Sequence, residues 1–320
     1  MDINKLTDEI IGGRRLDEND DLSFLLSAPL DELTKAADKL RRHFSGNKAN
    51  LCSIINGKSG KCSENCKFCA QSARHHTGVE EYAFLDNDKI LAECRHNEQR
   101  GVHRFAIVTA GRALTGKDFD KACDAFTVLK KKTKMGLCAS MGLLSKEQLE
   151  RLKGCGVTRY HCNIETSKRN FPNICTTHTF DEKLSCLARA KAVGLEICSG
   201  GIVGMGETWE DRTDMALTLS KLGVSSIPIN ALIPIKGTPF EDLPRLTEND
   251  ILRIVALFRI IVPDADIRLA AGRLLLKNSG EAAFLSGANS AITGDMLTTS
   301  GNGIGEDIAM LESFGFDVRG

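Results

Sequence analysis

The sequence predicts an α/β fold, a (β/α)8 barrel of the TIM type built from parallel strands, on three observations. Gly101-Val102, Gly136-Leu137, Gly156-Val157, Gly194-Leu195 and Gly223-Val224 each end a helical-looking stretch and open a short apolar run, as a helix C-terminus does when it feeds a strand. These junctions recur about every 30 residues, the size of one βα unit. Eight candidate strands alternate with helices, which implies a parallel sheet with right-handed crossovers, and eight favours a closed barrel over a doubly wound sheet.

Residues 1–48 form a helical N-terminal extension, with helix expected over 5–45 around Ala28-Pro29-Leu30-Asp31-Glu32-Leu33. Strands are expected at 51–56, 103–109, 136–140, 157–164, 195–201, 224–231, 266–270 and 288–292. Helices fill the gaps at 87–100, 117–132, 145–153, 180–193, 208–222, 247–261 and about 278–286. The barrel then spans 49–292 and a C-terminal extension 293–320. No Pro/Gly/Ser-rich linker divides the chain, so one domain is expected.

Composition narrows the function. The 320 residues carry 42 Lys+Arg and 42 Asp+Glu, so a generally basic nucleic-acid binder is excluded. Aromatics are 5%, with one Trp and two Tyr, too few for base-stacking platforms. The most apolar stretch, Ile251 to Val262, is short and holds Arg253 and Arg259, far from a spanning segment. The N-terminus lacks an apolar signal core, so a cytoplasmic protein away from membranes is expected. Twelve cysteines without an export signal point to metal or redox chemistry rather than disulfides.

Strand parity locates a polar lumen, because alternate residues of a barrel strand face inward. One parity carries Cys138 and Ser140; His161, Asn163 and Glu165; Glu196 and Cys198; Ser226 and Asn230; Asp266 and Arg268. A purely structural barrel would fill these positions with Val, Ile and Leu. Slipping any strand by one residue reverses its assignment.

Cys62, Cys66 and Cys69 form C-x3-C-x2-C. Three thiolates this close suit an irregular loop converging on one iron–sulfur cluster. Three ligands leave one iron open, as catalytic metal sites leave a position open for substrate. A zinc site is the alternative, with His75 or His76 as fourth ligand.

This loop, with an aromatic before its last cysteine and after the first barrel strand, resembles the radical S-adenosylmethionine superfamily. The resemblance implies a [4Fe-4S] cluster whose open iron is chelated by S-adenosylmethionine, cleaved by electron transfer to a 5′-deoxyadenosyl radical. It extends to the biotin synthase family through the runs Ser59 to Ser72, Cys198 to Thr208, Ile227-Pro228-Ile229-Asn230, Lys236-Gly237-Thr238-Pro239, Arg268 to Arg273 and Gly287-Ala288-Asn289-Ser290. That family inserts sulfur into dethiobiotin, taking it from a second, auxiliary iron–sulfur cluster, and the protein's task is to position the radical and shield it. The resemblance also implies flavodoxin or ferredoxin as electron donor, and a homodimer is expected. A related radical enzyme without sulfur insertion is the second reading.

The resemblance further implies an auxiliary [2Fe-2S] cluster held by three cysteines and an arginine. Cys138, Cys198 and Arg268 match, whereas the remaining cysteine position is Ala106. Cys175, in the loop after the fourth strand, is the favoured replacement, with Cys162 second; a changed ligand set could hold a two-iron or a four-iron cluster. The family pattern gives Asn163 and Glu165 to the ribose hydroxyls or the substrate's ureido group, and Asn230 to the ureido ring. It gives the backbone of Thr109, Ala110 and Gly111 to the methionine amino group, and the strand end at Val203 to the adenine. The glycine-rich run 200–207 lacks the Lys-Ser/Thr of a phosphate loop. Gly301, Gly303 and Gly305 mark a loop before the last helix. Lys130 to Lys134 are a solvated helix end that could dock an acidic donor. Cys52, Cys94, Cys123, Cys155 and Cys186 read as small buried hydrophobes.

Overall fold

The structure is a computed structural model describing residues 2–294 and 303–318. Three helices, α1 (Ile3–Ile11), α2 (Ser23–Ser27) and α3 (Leu30–Ser45), precede β1 (Asn50–Lys58). Next come α4 (Asn87–Gln99), β2 (Arg104–Thr109), α5 (Gly116–Lys132), β3 (Gly136–Ser140), α6 (Lys146–Gly154), β4 (Arg159–His161), α7 (Phe171–Ile174) and α8 (Phe180–Ala192). Then follow β5 (Glu196–Cys198), β6 (Gly201–Val203), α9 (Trp209–Leu222), β7 (Ser226–Ala231), α10 (Glu248–Ile261), β8 (Asp266–Leu269), α11 (Glu281–Phe284), β9 (Ser290–Ile292) and α12 (Ile304–Ser313).

Capping residues set the helix starts. Ser145, Thr179, Thr208 and Thr247 each accept from a backbone N–H three residues on, while the Gln, Glu or Asp there reaches back; such reciprocal caps satisfy two otherwise orphaned donors. Gly223 ends α9 at φ +64°, a left-handed position that glycine takes without penalty.

All the strands pair in parallel, in the order β5-β4-β3-β2-β1-β9-β8-β7-β6, and β5 also pairs with β7. The sheet therefore closes as an eight-stave barrel. β5 and β6 are halves of the fifth stave, which the sequence reads as one strand. The break has a steric cause. A Cβ on Gly200 would lie 2.0 Å from the Pro228 carbonyl oxygen, and one on Gly201 would lie 2.3 Å from that of Glu165. Glycine here lets neighbouring backbones press in from both sides. The helix expected at 278–286 shrinks to α11 behind a kink where Asn278 and Ser279 have positive φ.

The outer ring buries a continuous apolar core between helices and barrel. Its charged exceptions are tied down. Arg259 is fully buried and donates to the carbonyls of Pro263, Ala265 and Gly287 and to Asn289 Oδ1. Arg273 is paired with Asp307 of α12 at 2.7 Å. Of the three glycines expected in the loop before that helix, Gly301 lies outside the described residues, Gly303 caps the helix and Gly305 lies inside it. Among the described residues no helix is long and apolar enough to cross a membrane.

Candidate functional site

The chain leaves β1 at the C-terminal face of the barrel, where barrel enzymes assemble their sites, and the three-cysteine loop begins. Backbone bonds pin it: Cys62 N–H donates to the Gln71 carbonyl, Ala73 to that of Cys62 and Cys69 to that of Cys66. Gln71 Oε1 accepts from Gly60 N–H and Asn56. The Glu64 carboxylate is buried and accepts from Thr177 at 2.9 Å, His178 at 2.5 Å and Arg112 at 3.3 Å. Burial opposes its charge, but the His178 and Thr177 donors outweigh that and hold it below the ordinary carboxylate range. Cys62, Cys66 and Cys69 stay half-buried, within reach of a bound group. His75 is turned to the Cys69 carbonyl at 2.9 Å, and His76 N–H donates to the Gly237 carbonyl. Neither histidine joins the three thiols.

Below the loop lies a cavity of about 270 Å³ inside the barrel. Phe68, Cys69, Ala70 and Gln71 of the loop line it, and so do Cys52, Cys138, Cys198 and Arg268 of the strands. Ser140, His161, Asn163 and Asn230 also face it, as strand parity predicts. Glu165, Ser226, Glu196 and Asp266 do not: Glu165 sits beside Lys183 and Ser226 accepts from Arg268, while Glu196 pairs outward with Arg159 at 2.9 Å and Asp266 accepts from Asn289. Glu196 and Asp266 open their strands, below the cavity floor.

Cys138 and Cys198 have no third partner in Cys175. Its Sγ lies 3.6 Å from Cys66 Sγ and beside His178, because α7 turns the loop after β4 toward the three-cysteine loop, where Lys67 N–H meets the Ile174 carbonyl. Cys162 faces outward and pairs with Cys186 of α8. The third lumen thiol is Cys52 on β1, which the sequence reads as packing. Ile54 of β1 registers with Ala106 of β2, and Ala106 with Cys138 of β3. Cys52, Ala106 and Cys138 accordingly form one buried cluster. Only the parity of β1 could have revealed it.

The surroundings of these thiols are cationic. Burial raises the Cys138 thiol well above its ordinary range and raises that of Cys198. Arg104, Arg159 and Arg268 line the same floor. Arg268 donates to Ser226 Oγ and to the carbonyls of Asn50 and Ala291, yet its Nη2 is buried with no hydrogen-bond partner, the Asp266 carboxylate standing 4.0 Å away. An unsatisfied buried donor is costly. Three thiols and an arginine nitrogen without a hydrogen-bond partner fit a sulfur-rich anionic cluster.

His161 is buried to the point that its pKa falls to about 4. It is therefore neutral near pH 7, with Nε2–H donating to Asn163 Oδ1 and Nδ1 accepting from Ser140 Oγ, both at 2.9 Å. Gly200 N–H also donates to Asn163 Oδ1, which fixes the amide at the cavity wall. Asn230 donates to the Gly201 carbonyl and accepts from Ala271 N–H, so it staples strands as well as facing the cavity. Glu165 has φ +71° and a buried carboxyl, with Oε1 3.5 Å from Lys183 Nζ and Oε2 unpartnered. Lys183 is a polar partner that periodicity hides on α8. Val203 is buried in the core, and its neighbour Ile202 faces the cavity. At the end of β2, Ala110 N–H is spent on the Lys58 carbonyl, Thr109 Oγ1 is buried without a partner, and Gly111 turns at φ +124°.

Lys130, Lys131 and Lys132 close α5, where cations complement the helix dipole. Helices of a βα barrel end at the face opposite the cluster loop, so this basic stretch lies remote from Cys62, Cys66 and Cys69.

The Radical SAM superfamily pattern matches residues 58–219, and the Biotin and Thiamin Synthesis associated domain matches residues 228–317. Among solved structures, methylornithine synthase has the same fold, with TM-score 0.84 at 22% identity over 98% of this chain and 96% of that one. A maturase of the [FeFe]-hydrogenase gives 0.82 at 17% identity, over 98% of this chain and 74% of that one. In sequence, the chain is 60% identical over 318 residues to a biotin synthase of Alkaliphilus metalliredigens, covering 99% of this chain and 100% of the relative. It is 57% identical to one of Clostridium beijerinckii over 99% and 100%. A closed parallel barrel with a three-cysteine loop at its mouth and identity at this level over the full length lead to one conclusion: the chain belongs to the biotin synthase family of radical S-adenosylmethionine enzymes.

Proposed function

We propose that in this chain Cys62, Cys66 and Cys69 hold the [4Fe-4S] cluster that binds S-adenosylmethionine, and that Cys52, Cys138, Cys198 and Arg268 hold the auxiliary cluster. The observation that carries the assignment is that Cys69 of the loop and Cys52, Cys138 and Cys198 of the strands line one cavity, so a substrate held there lies between the two cysteine groups. When bound, the first cluster supplies the electron that cleaves S-adenosylmethionine into a hydrogen-abstracting species, and the second supplies sulfur for dethiobiotin. The protein's own residues bind, orient and exclude. Ile54, Val108, Ile202 and Ile233 give the cavity apolar walls, which keep water from a reactive carbon centre. Neutral His161 holds Asn163 in one orientation for the ribose hydroxyls or the ureido oxygen. Glu165, with Oε1 3.5 Å from Lys183 Nζ, presents an acceptor to the ribose. Asn230 faces the ureido ring with the donor and acceptor capacity its two backbone bonds leave. The backbone at Thr109, Ala110 and Gly111 takes the methionine amino group, and the strand end at Ile202-Val203 packs near the adenine.

The same proposal treats 1–48, 49–292 and 293–320 as extension, barrel and extension of a single functional unit. It includes a cytoplasmic homodimer fed by flavodoxin or ferredoxin docking at the cluster-loop face rather than at Lys130 to Lys134. Anaerobic reconstitution tests the assignment. Cleavage of S-adenosylmethionine, formation of biotin and iron totalling about six or eight atoms per chain are expected, for a two-iron or a four-iron auxiliary cluster. About four irons with full biotin formation contradicts a separate auxiliary cluster, and cleavage without sulfur insertion favours a related radical enzyme.

A further inference from the structure

The thiol at Cys175 remains unused by either cluster, and its surroundings are specific. Cys66 Sγ lies 3.6 Å from Cys175 Sγ, His178 Nε2 lies 3.8 Å from it, and the ligand atoms of all three residues fall within 4.8 Å of one another. A tetrahedral ion with bonds of about 2.3 Å to sulfur and about 2.05 Å to nitrogen puts its ligands about 3.8 Å apart for S/S and about 3.6 Å for S/N. The Cys66–Cys175 and Cys175–His178 spacings, 3.6 and 3.8 Å, lie close to those edges, and the third pair lies within 4.8 Å. The second shell is also in order. Both ring nitrogens of His178 lie near Cys175 Sγ, Nδ1 at 3.4 Å and Nε2 at 3.8 Å; Glu64 Oε2, 2.5 Å from Nδ1, accepts its N–H, which leaves Nε2 as the nitrogen for an ion, and such carboxylate partners strengthen histidine ligands. Glu64 is itself fixed by Thr177 and Arg112. Conversely, two thiolates less than 4 Å apart cannot sit on different irons of one cubane, whose thiolates diverge from its corners, so Cys175 does not extend the three-cysteine set.

We propose that in the chain before its cluster is installed, Cys66, Cys175 and His178 form a binding site for a single divalent transition-metal ion of the Zn2+ or Fe2+ type, with water completing the tetrahedron. The site shares Cys66 with the cluster loop, so the lone ion and the [4Fe-4S] cluster exclude one another. Binding replaces the protons now held among the two sulfurs and Nε2 and releases them to solvent; no electron is transferred. This site stands on its own geometry and does not need the auxiliary-cluster assignment.

The test uses the full-length cluster-free chain, kept reduced and anaerobic, titrated with Co2+ as spectroscopic probe and Zn2+ as competitor. One Co2+ per chain is expected, with thiolate-to-metal charge transfer in the near ultraviolet and the intense visible bands of tetrahedral Co2+, displaced by one equivalent of Zn2+. Cys175→Ser and His178→Ala are expected to weaken binding at least as much as losing an outer-shell partner does, about 10- to 100-fold, and to lose that spectrum. Cys62→Ala and Cys69→Ala are expected to keep both. Cys175→Ser is nearly isosteric, and an unchanged circular dichroism spectrum guards against misfolding. If Cys62→Ala or Cys69→Ala abolishes the signal while Cys175→Ser retains it, the ion sits in the three-cysteine loop and the proposal is wrong. A wild-type chain that binds no tetrahedral Co2+ overturns it equally.

Discussion

Lowering the pH should cost this barrel stability through one histidine. In the unfolded chain the His161 imidazole titrates near 6.5, and in the folded chain burial brings it to about 4. Between those values the unfolded state binds more protons, so acid favours unfolding. The contribution is complete above pH 6.5 and is lost as the pH falls toward 4. Integrating the linkage from pH 7 to pH 5 gives about 2 kcal/mol. For a chain of 320 residues, with unfolding entropy of about 2.1 cal/mol/K per residue, that lowers the Tm by about 3 °C. Other groups titrate over the same range, so the quantity to measure is a double difference. Thermal melts of the cluster-free wild type and of His161→Asn, followed by circular dichroism at pH 7 and pH 5, should differ in their pH dependence by about 3 °C. The variant should be the less sensitive. Equal pH dependence in the two chains would refute the claim that His161 is held neutral between Ser140 and Asn163.

Replacing any one of Cys62, Cys66 or Cys69 with Ala should abolish cleavage of S-adenosylmethionine, because two thiolates do not hold the cluster; product analysis under reducing anaerobic conditions reads this, and cleavage retained by one variant removes that residue from the set. Lys183→Met strands the buried Glu165 carboxylate and should destabilise the chain by about 3–5 kcal/mol; adding Glu165→Gln should restore most of it, and no recovery would mean that Lys183 acts through packing alone. Gly200→Ala puts a methyl 2.0 Å from the Pro228 carbonyl and should cost more than about 3 kcal/mol, above the usual overpacking range; a Tm within 1 °C of wild type would show that the break in the fifth stave is not steric.

The barrel was legible because its punctuation is local. Glycines such as Gly101 and Gly223 mark five αβ junctions, the threonine and serine caps mark helix starts, and the apolar runs between them bring the count of strands to eight. The polar lumen was legible wherever a strand carries polar residues on one parity, as at Cys138-Ser140 and His161-Asn163. Cys52 escaped because its inward neighbour on β1, Ile54, is apolar, and a lone cysteine beside leucine and isoleucine reads as core. Lys183 escaped because a charged residue on an amphipathic helix is ordinarily solvated, and only the turn at Glu165 brings the two together. Cys175 lies beside Cys66 and not in the lumen, because loop length bounds how far a residue reaches and not its direction. The short helix α7 sends it to the cluster loop instead of into the barrel.

The central claim is that Cys52 supplies the lumen thiol that Ala106 lacks. Anaerobically reconstituted Cys52→Ala, compared with wild type for iron and sulfide content, S-adenosylmethionine cleavage and biotin formation, tests it most directly. The account predicts that the variant keeps about four irons and cleaves the cofactor, while auxiliary-cluster absorbance and biotin formation are lost. Wild-type iron content and normal biotin formation in Cys52→Ala would contradict it.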